Sequence, residues 1–187
     1  MLRRMAAATT RVGSLGAAWG VLGVVLLLGN AIRRLAPIAV RALVGPLGWR
    51  EWAALALWVG VMGWFEGYKG SKRGFSPRVA ARARWLAAHP TGGRTLLAPL
   101  FCMGYFHASR RRQVTSIAVA VGIVLLIVGV RHVAQPWRGI IDVGVIVGLA
   151  WGLVALLAFT ARAFGARGLD CSPDLPVEGV AGRSAAD

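Results

Sequence analysis

The stretch "RHVAQPWRGIIDVGVIVGLAWG", residues 131–152, joins a short polar turn to an apolar run in which glycine recurs at every fourth position. The apolar run continues to residue 161, which is long enough for a helix of about 20 residues to cross the hydrocarbon core of a bilayer. A second apolar run, 113–133, precedes the turn. The stretch therefore predicts a hairpin of two membrane-spanning helices.

The composition indicates the same class of protein for the whole chain. Its hydrophobic content of 57% and mean hydropathy of +0.62 exceed those of soluble proteins. Two further apolar runs, 14–33 and 51–68, are also long enough to span. We predict an all-α integral membrane protein with a four-transmembrane-helix bundle over 14–161, flanked by polar tails at 1–13 and 162–187.

The first apolar run follows a basic N-terminus, as the apolar region of a secretory signal peptide does. It is longer than such a region, and Arg33 and Arg34 follow it as a stop-transfer pair would. We therefore expect an uncleaved membrane helix.

The central region 69–112 contains the sequence "SPRVAARARWLAAHP", residues 76–90. Ser76 is a candidate N-cap, and Pro77 suits the first helical turn. Val79, Ala83 and Leu86 share one face of this helix. The pattern predicts an amphipathic helix that lies flat on the cytoplasmic membrane surface.

The sequence "TLLAPLFCMGYFH", residues 95–107, is apolar but short, and Pro99 and Gly104 interrupt it. A segment of this length is typical of a re-entrant or interfacial element. We expect it to lie between the second and third spans without crossing the membrane.

The charges are mostly of one sign, with Lys+Arg 22 against Asp+Glu 7. Because short basic loops stay in the cytoplasm, the arginines predict a multi-pass protein of the cell inner (plasma) membrane with both termini cytoplasmic. A membrane plane accounts for the distribution of the arginines better than nucleic acid does. The residues predicted to bind anionic lipid or a partner protein are Lys69, Lys72, Arg73, Arg78, Arg82, Arg84, Trp85, Arg110, Arg111 and Arg112.

Gly144, Gly148 and Gly152 share one face of the fourth predicted span. Small residues at this spacing let two helix backbones approach closely in lipid. The pattern predicts close helix packing, either within the chain or in a homo-oligomer or larger membrane complex.

Asp142 is the acidic residue inside the fourth span, one helical turn after Arg138. The spacing predicts a structural ion pair between the two side chains. Ionisable residues within spans are also typical of ion and proton pathways, so Asp142, His132 and Glu66 are candidate ion or proton sites.

The two cysteines and three histidines show no metal-ligand spacing, and we predict no metal and no cofactor. A haem or quinone at His107 or His132 is the remaining possibility for cofactor chemistry.

Three functions follow from these patterns. The first is a non-catalytic membrane subunit or scaffold that assembles through glycine-lined helices and binds anionic lipid or a partner with its basic cytoplasmic surface. The second is a small transporter or channel that uses Glu66 and Asp142. The third is a membrane enzyme or cofactor-binding protein that uses His107 or His132.

Overall fold

The computed structural model describes residues 11–65 and 74–165, apart from the side chain of Arg112. This part of the chain forms seven helices and contains no strand. They are α1 Arg11–Val44, α2 Trp49–Met62, α3 Ser76–Ala88, α4 Gly92–Leu96, α5 Ala98–Met103, α6 Arg110–Val130 and α7 Trp137–Phe164.

Helices α1 and α7 form an antiparallel pair that runs the length of the bundle. Near the start of α7, a Cβ added to Gly139 would clash with Ala42 of α1 and lie 3.2 Å from the carbonyl oxygen of Ile38. Farther along, Val24 of α1 and Leu156 of α7 belong to the same buried core. We call the end at which α1 joins α2, and α6 joins α7, the turn end, and the opposite end the tail end.

Helix α2 packs beside the first half of α7. The indole Nε1 of Trp58 donates a hydrogen bond of 3.2 Å to the carbonyl oxygen of Ile141. The same indole ring covers Gly144, where a Cβ would clash with it and would lie 3.2 Å from Cγ of Met62. Glycine at position 144 thus makes room for an aromatic side chain of α2.

Helix α3 is confirmed as a helix, but its predicted position on the membrane surface is wrong. It lies inside the bundle, packed against α1, α5 and α7, and Val79, Ala83 and Leu86 are at most 1% exposed. Ala80, Ala81 and Ala87 on its other sides are also buried. Their small side chains allow the neighbouring helices to pack closely around α3. The prediction that Ser76 is the N-cap is wrong, because Ser76 is the first residue of α3 and Phe75 is its N-cap. The buried hydroxyl of Ser76 instead donates to the carbonyl oxygen of Gly152 at 3.3 Å.

The segment 95–107, predicted to be re-entrant or interfacial, contains the end of α4 and all of α5, and both helices are too short to cross a bilayer. They pack along one face of α1, where Gly16, Gly20 and Gly23 contact Thr95, Cys102 and Pro99 respectively. This face explains the spacing of small residues in the first half of α1.

Helix α6 stands apart from the others. None of its apolar stretch Gln113–Val130 is buried in the protein, whereas a third of the corresponding window of α1 is buried. Near its start, Ser116 Oγ donates to the carbonyl oxygen of Met103 at 3.2 Å.

Three helices of the described chain are long and apolar enough to cross a membrane: α1, residues Gln113–Val130 of α6, and α7. Helix α2 has 14 residues, fewer than the about 20 that a span needs. The last residues of the predicted second span, 66–68, lie outside the described part of the chain. A fourth span therefore stays a prediction.

The glycine face of α1 generates a stability prediction. At Gly20 a Cβ would lie 2.8 Å from Sγ of Cys102 and 3.2 Å from the carbonyl oxygen of Ala98, whereas at Gly29 no atom lies within 4 Å. We expect Gly20→Leu to lower the free energy of unfolding by about 1–3 kcal/mol because it overpacks the contact with α5. The matched change Gly29→Leu should not lower it. Thermal unfolding in mild detergent measures both, and equal melting temperatures for the two variants would contradict the packing described above.

Candidate functional site

A cavity of about 380 Å³ lies where α6 stands away from α1 and α7. We call it the α6 cavity. Most of its surface is apolar, and Tyr105, Thr115 and Ser116 supply polar groups. Its lining includes Leu27 and Leu28 of α1, Thr115, Ser116, Val119, Ala120 and Ile123 of α6, Gly148, Leu149 and Gly152 of α7, and Met103 and Tyr105 from the connection before α6.

The α6 residues of this lining follow the helical period and so occupy one face of the helix. Arg110 and Arg111 begin α6 and are exposed. Thr115 Oγ1 donates to the carbonyl oxygen of Arg111 at 2.8 Å, and so ties the polar end of the cavity to the start of the helix. The cavity therefore has apolar walls with exposed arginines about one turn beyond its polar end.

Arg82 of α3 binds α5 and the loop that follows it, which together form one wall of the α6 cavity. It is 2% exposed, and its guanidinium donates to the carbonyl oxygens of Phe101, at 2.8 Å, and of His107. The guanidinium carbon also lies 4.7 Å from the centre of the Phe101 ring. These carbonyl and cation–π contacts solvate a charge that would otherwise be costly to bury.

The loop that Arg82 holds has an unusual backbone. Gly104 ends α5 with φ 84°, and His107 has φ 49°. A positive φ suits glycine but is uncommon for histidine, so the hydrogen bond from Arg82 to the His107 carbonyl oxygen stabilises this turn. Tyr105, between these two residues, lines the cavity.

Cys102 lies next to this anchor and is buried. Burial raises the pKa of its thiol from 9.0 to about 12, and the positive charge of Arg82 acts in the opposite direction. The thiol is therefore protonated at neutral pH, and it is a packing group rather than a nucleophile.

The described residues of the predicted basic binding surface differ in their burial. Arg82 is in the core and cannot reach a lipid headgroup, because its guanidinium is bound inside the protein. Arg78 is half-buried, whereas Arg84, Arg110 and Arg111 are exposed. Lys69, Lys72, Arg73 and the side chain of Arg112 lie outside the described residues.

Trp85, also predicted to bind lipid or a partner, is half-buried among rings and cations. Its ring stacks on that of His89 at 4.7 Å between centroids, and the guanidinium carbon of Arg94 lies 5.3 Å from its centre. It also contacts Phe101 at 5.8 Å. These contacts give Trp85 a packing role at the end of α3.

Asp142 is 4% exposed and lies in the second turn of α7. Its Oδ2 and the Nε of Arg138 are both buried without a hydrogen-bond partner. Asp142 and Arg138 therefore both lie near the turn end, but Oδ2 of Asp142 and Nε of Arg138 form no hydrogen bond with each other. His132 is exposed in the turn before α7, and Glu66 lies outside the described residues.

Gly144, Gly148 and Gly152 are all buried within the chain. Gly144 contacts α2, and the other two line the α6 cavity. Gly144 therefore takes part in helix packing within the chain, whereas Gly148 and Gly152 form part of the cavity wall.

Within residues 11–65 and 74–165, no three metal-ligating side chains of the His, Cys, Asp or Glu type come together. His107 is exposed, and its carbonyl group, rather than its ring, accepts the hydrogen bond from Arg82.

Sequence reasoning missed the α6 cavity and the anchoring role of Arg82. A partial signal for the cavity was present, because Thr115 and Ser116 interrupt the apolar run of α6 on the face that carries Ala120. No local pattern distinguishes Arg82 from Arg78 and Arg84, which precede and follow it in α3. Comparison with protein-family models, with curated proteins and with solved structures gives no match for this chain.

The anchor can be tested by exchanging arginine for lysine. Lysine carries one compact ammonium group and cannot donate to both carbonyl oxygens with the same fork geometry. We expect Arg82→Lys to lower the free energy of unfolding by about 2–3 kcal/mol, because hydrogen bonds to a buried charged group are lost. Arg84→Lys, an exposed change on the same helix, should stay within about 0.5 kcal/mol. Thermal unfolding in detergent compares the two, and an unaffected Arg82→Lys protein would show that the anchor is dispensable.

Proposed function

We propose that this protein is a non-catalytic integral membrane subunit or scaffold that binds anionic lipid, with an acyl chain of the lipid in the α6 cavity. A contact with a partner protein, on the exposed surface of α6, belongs to the same proposal. The observation that carries it is the separation of α6 from α1 and α7 by a cavity with mainly apolar walls.

A cavity of this kind is suited to a lipid chain for a simple reason. An empty space between helices lacks the dispersion contacts that its lining would otherwise make. In a bilayer, acyl chains are available at the same depth, and an apolar wall imposes no desolvation cost on them. The volume of about 380 Å³ lies within the range of small-ligand pockets, which is about 300–1,000 Å³.

The start of α6 supports the choice of an anionic lipid. Arg110 and Arg111 are exposed there, and the N-terminus of a helix of 21 residues carries a partial positive charge. Guanidinium groups bind phosphate oxygens in a bidentate manner. A lipid whose chain lies in the cavity would bring its phosphate close to these two side chains.

The proposed membrane arrangement retains four spans with both termini cytoplasmic in the plasma membrane. Trp49, Trp52 and Trp137 support a membrane boundary at the turn end, because all three are exposed there and tryptophan is enriched at the bilayer interface. The arginines near the start of α6 belong to the half of the bundle nearer the tail end, which the positive-inside rule assigns to the cytoplasm.

Filling the cavity tests the proposal. Ala120 lines it and Ala118 is exposed on another face of α6. We expect Ala120→Phe to occupy the space of the acyl chain and to reduce the number of phospholipids retained by the purified protein. Ala118→Phe, which adds the same ring outside the cavity, should retain as many as the wild type. Native mass spectrometry after gentle extraction counts the retained lipids and also detects co-purifying polypeptides.

Lipid retention that is equal in the two variants would contradict the lipid site. A polypeptide that co-purifies with the wild type and is lost in Ala118→Phe would instead place a partner on the outer surface of α6.

The buried Oδ2 of Asp142 favours a second candidate function, an ion or proton pathway. If the first proposal holds, Asp142→Asn should assemble normally and retain lipid as the wild type does, because the change is nearly isosteric and Asp142 does not line the cavity. Proton flux into proteoliposomes that the wild type supports and Asp142→Asn abolishes would favour the transporter instead.

A further inference from the structure

The C-terminal half of α1 carries a row of polar side chains that the bundle does not use. Asn30, Arg33, Arg34 and Arg41 are all exposed and lie near one face of the helix by its period. We call them the α1 arginine stripe. Arg33 donates to Oδ1 of Asn30 at 3.0 Å, which leaves other guanidinium donors of Arg33 available.

The sequence places Arg33 and Arg34 where the first span should end, but the helix does not end there. Helix α1 has 34 residues, a length of about 51 Å, and continues through Pro37 to Val44. It therefore extends beyond the arginine pair for three further turns, packed against α7 for part of that length.

The register of α1 against α7 gives the depth of the arginines. Ala42 and Ile38 lie against Gly139, whereas Leu27 and Leu28 share a cavity with Gly148 and Gly152. Arg33 and Arg34 thus lie level with residues near Gly144. That level is two helical turns, about 10 Å, inside the start of α7, within the apolar stretches of both α6 and α7.

An exposed guanidinium at this depth needs an anion. Residues 11–65 and 74–165 contain two acidic side chains, Glu51 and Asp142, and neither forms an ion pair with the stripe. A second copy of a chain with net charge +15 is a poor source of negative charge. Val40 and Leu43 are exposed in the same half of α1, and Leu26 is exposed one turn before Asn30. These side chains offer apolar contacts to the chains of a lipid.

The backbone of α1 lacks one hydrogen-bond donor at the same level. Pro37 lies inside α1, and because proline has no N–H, the carbonyl oxygen of Arg33 lacks its helical donor. Water that accompanies a lipid headgroup can donate to this oxygen, whereas hydrocarbon cannot.

We propose that Asn30, Arg33 and Arg34 bind the phosphate of an anionic lipid, which lies deeper beside α1 than the headgroups around the rest of the turn end. Arg41 lies nearer the membrane boundary at the turn end, and its positive charge adds to the electrostatic attraction of the phosphate. This site lies nearer the turn end than Arg110 and Arg111, and it does not depend on the lipid proposed for the α6 cavity.

The test compares two double variants of equal charge change. Arg33→Gln with Arg34→Gln removes the site, and Arg50→Gln with Arg131→Gln removes two exposed arginines of the turn end outside the stripe. Each protein is placed in nanodiscs of mixed phosphatidylglycerol and phosphatidylcholine, and retained lipids are counted by native mass spectrometry. We expect the stripe variant to lose about one phosphatidylglycerol, since its bidentate phosphate ligands are gone, and the control variant to retain it.

Circular dichroism and gel filtration confirm that both variants are folded. Equal retention of phosphatidylglycerol by the two variants would overturn the site. So would a polypeptide that co-purifies with the wild type and is lost with the stripe, because the arginines would then bind an acidic partner. Added inorganic phosphate should leave retention unchanged, and displacement of the lipid by phosphate alone would show a soluble-anion site. The Ala120→Phe protein should still retain the stripe lipid, so the two lipid proposals can fail separately.

Discussion

The close approach of other helices to α1 is the constraint on which the rest of the structure depends. In lipid, apolar side chains gain little by leaving an apolar solvent, so packing relies on backbones that can touch. Gly16, Gly20 and Gly23 admit α4 and α5, and Ala42 meets Gly139 of α7. With α1 and α7 held together in this way, α3 can be enclosed between them.

The enclosed α3 brings a charge into the core, and the fold compensates for it with backbone groups. Arg82 binds the carbonyl oxygens of Phe101 and His107 and thereby connects α3 to the loop that forms a wall of the α6 cavity. The packing of the core and the shape of the cavity are consequently coupled. A change at Arg82 acts on both, whereas a change at Ala120 acts on the cavity alone.

Helix α6 is less buried in the bundle than the other long helices, α1 and α7. It is anchored near its start by Ser116, while its apolar stretch is unburied. The lateral space that results is the feature on which the proposed lipid function rests. The arginines near the start of α6 and those in the second half of α1 lie at different levels of the bundle, so the two proposed lipid contacts are on different parts of the protein.

The sequence by itself determined the helical class, the apolar stretches of α1, α6 and α7, and the presence of the α3 helix, because hydropathy and helical period are local properties of the chain. The tertiary structure alone decided that α3 is enclosed, that Arg82 is an anchor rather than a surface residue, and that α1 continues past Arg33 and Arg34. For Arg82 the physical reason is that a buried charged side chain is stable where it finds acceptors. Those acceptors come from residues far away in the sequence, which no local pattern can reveal.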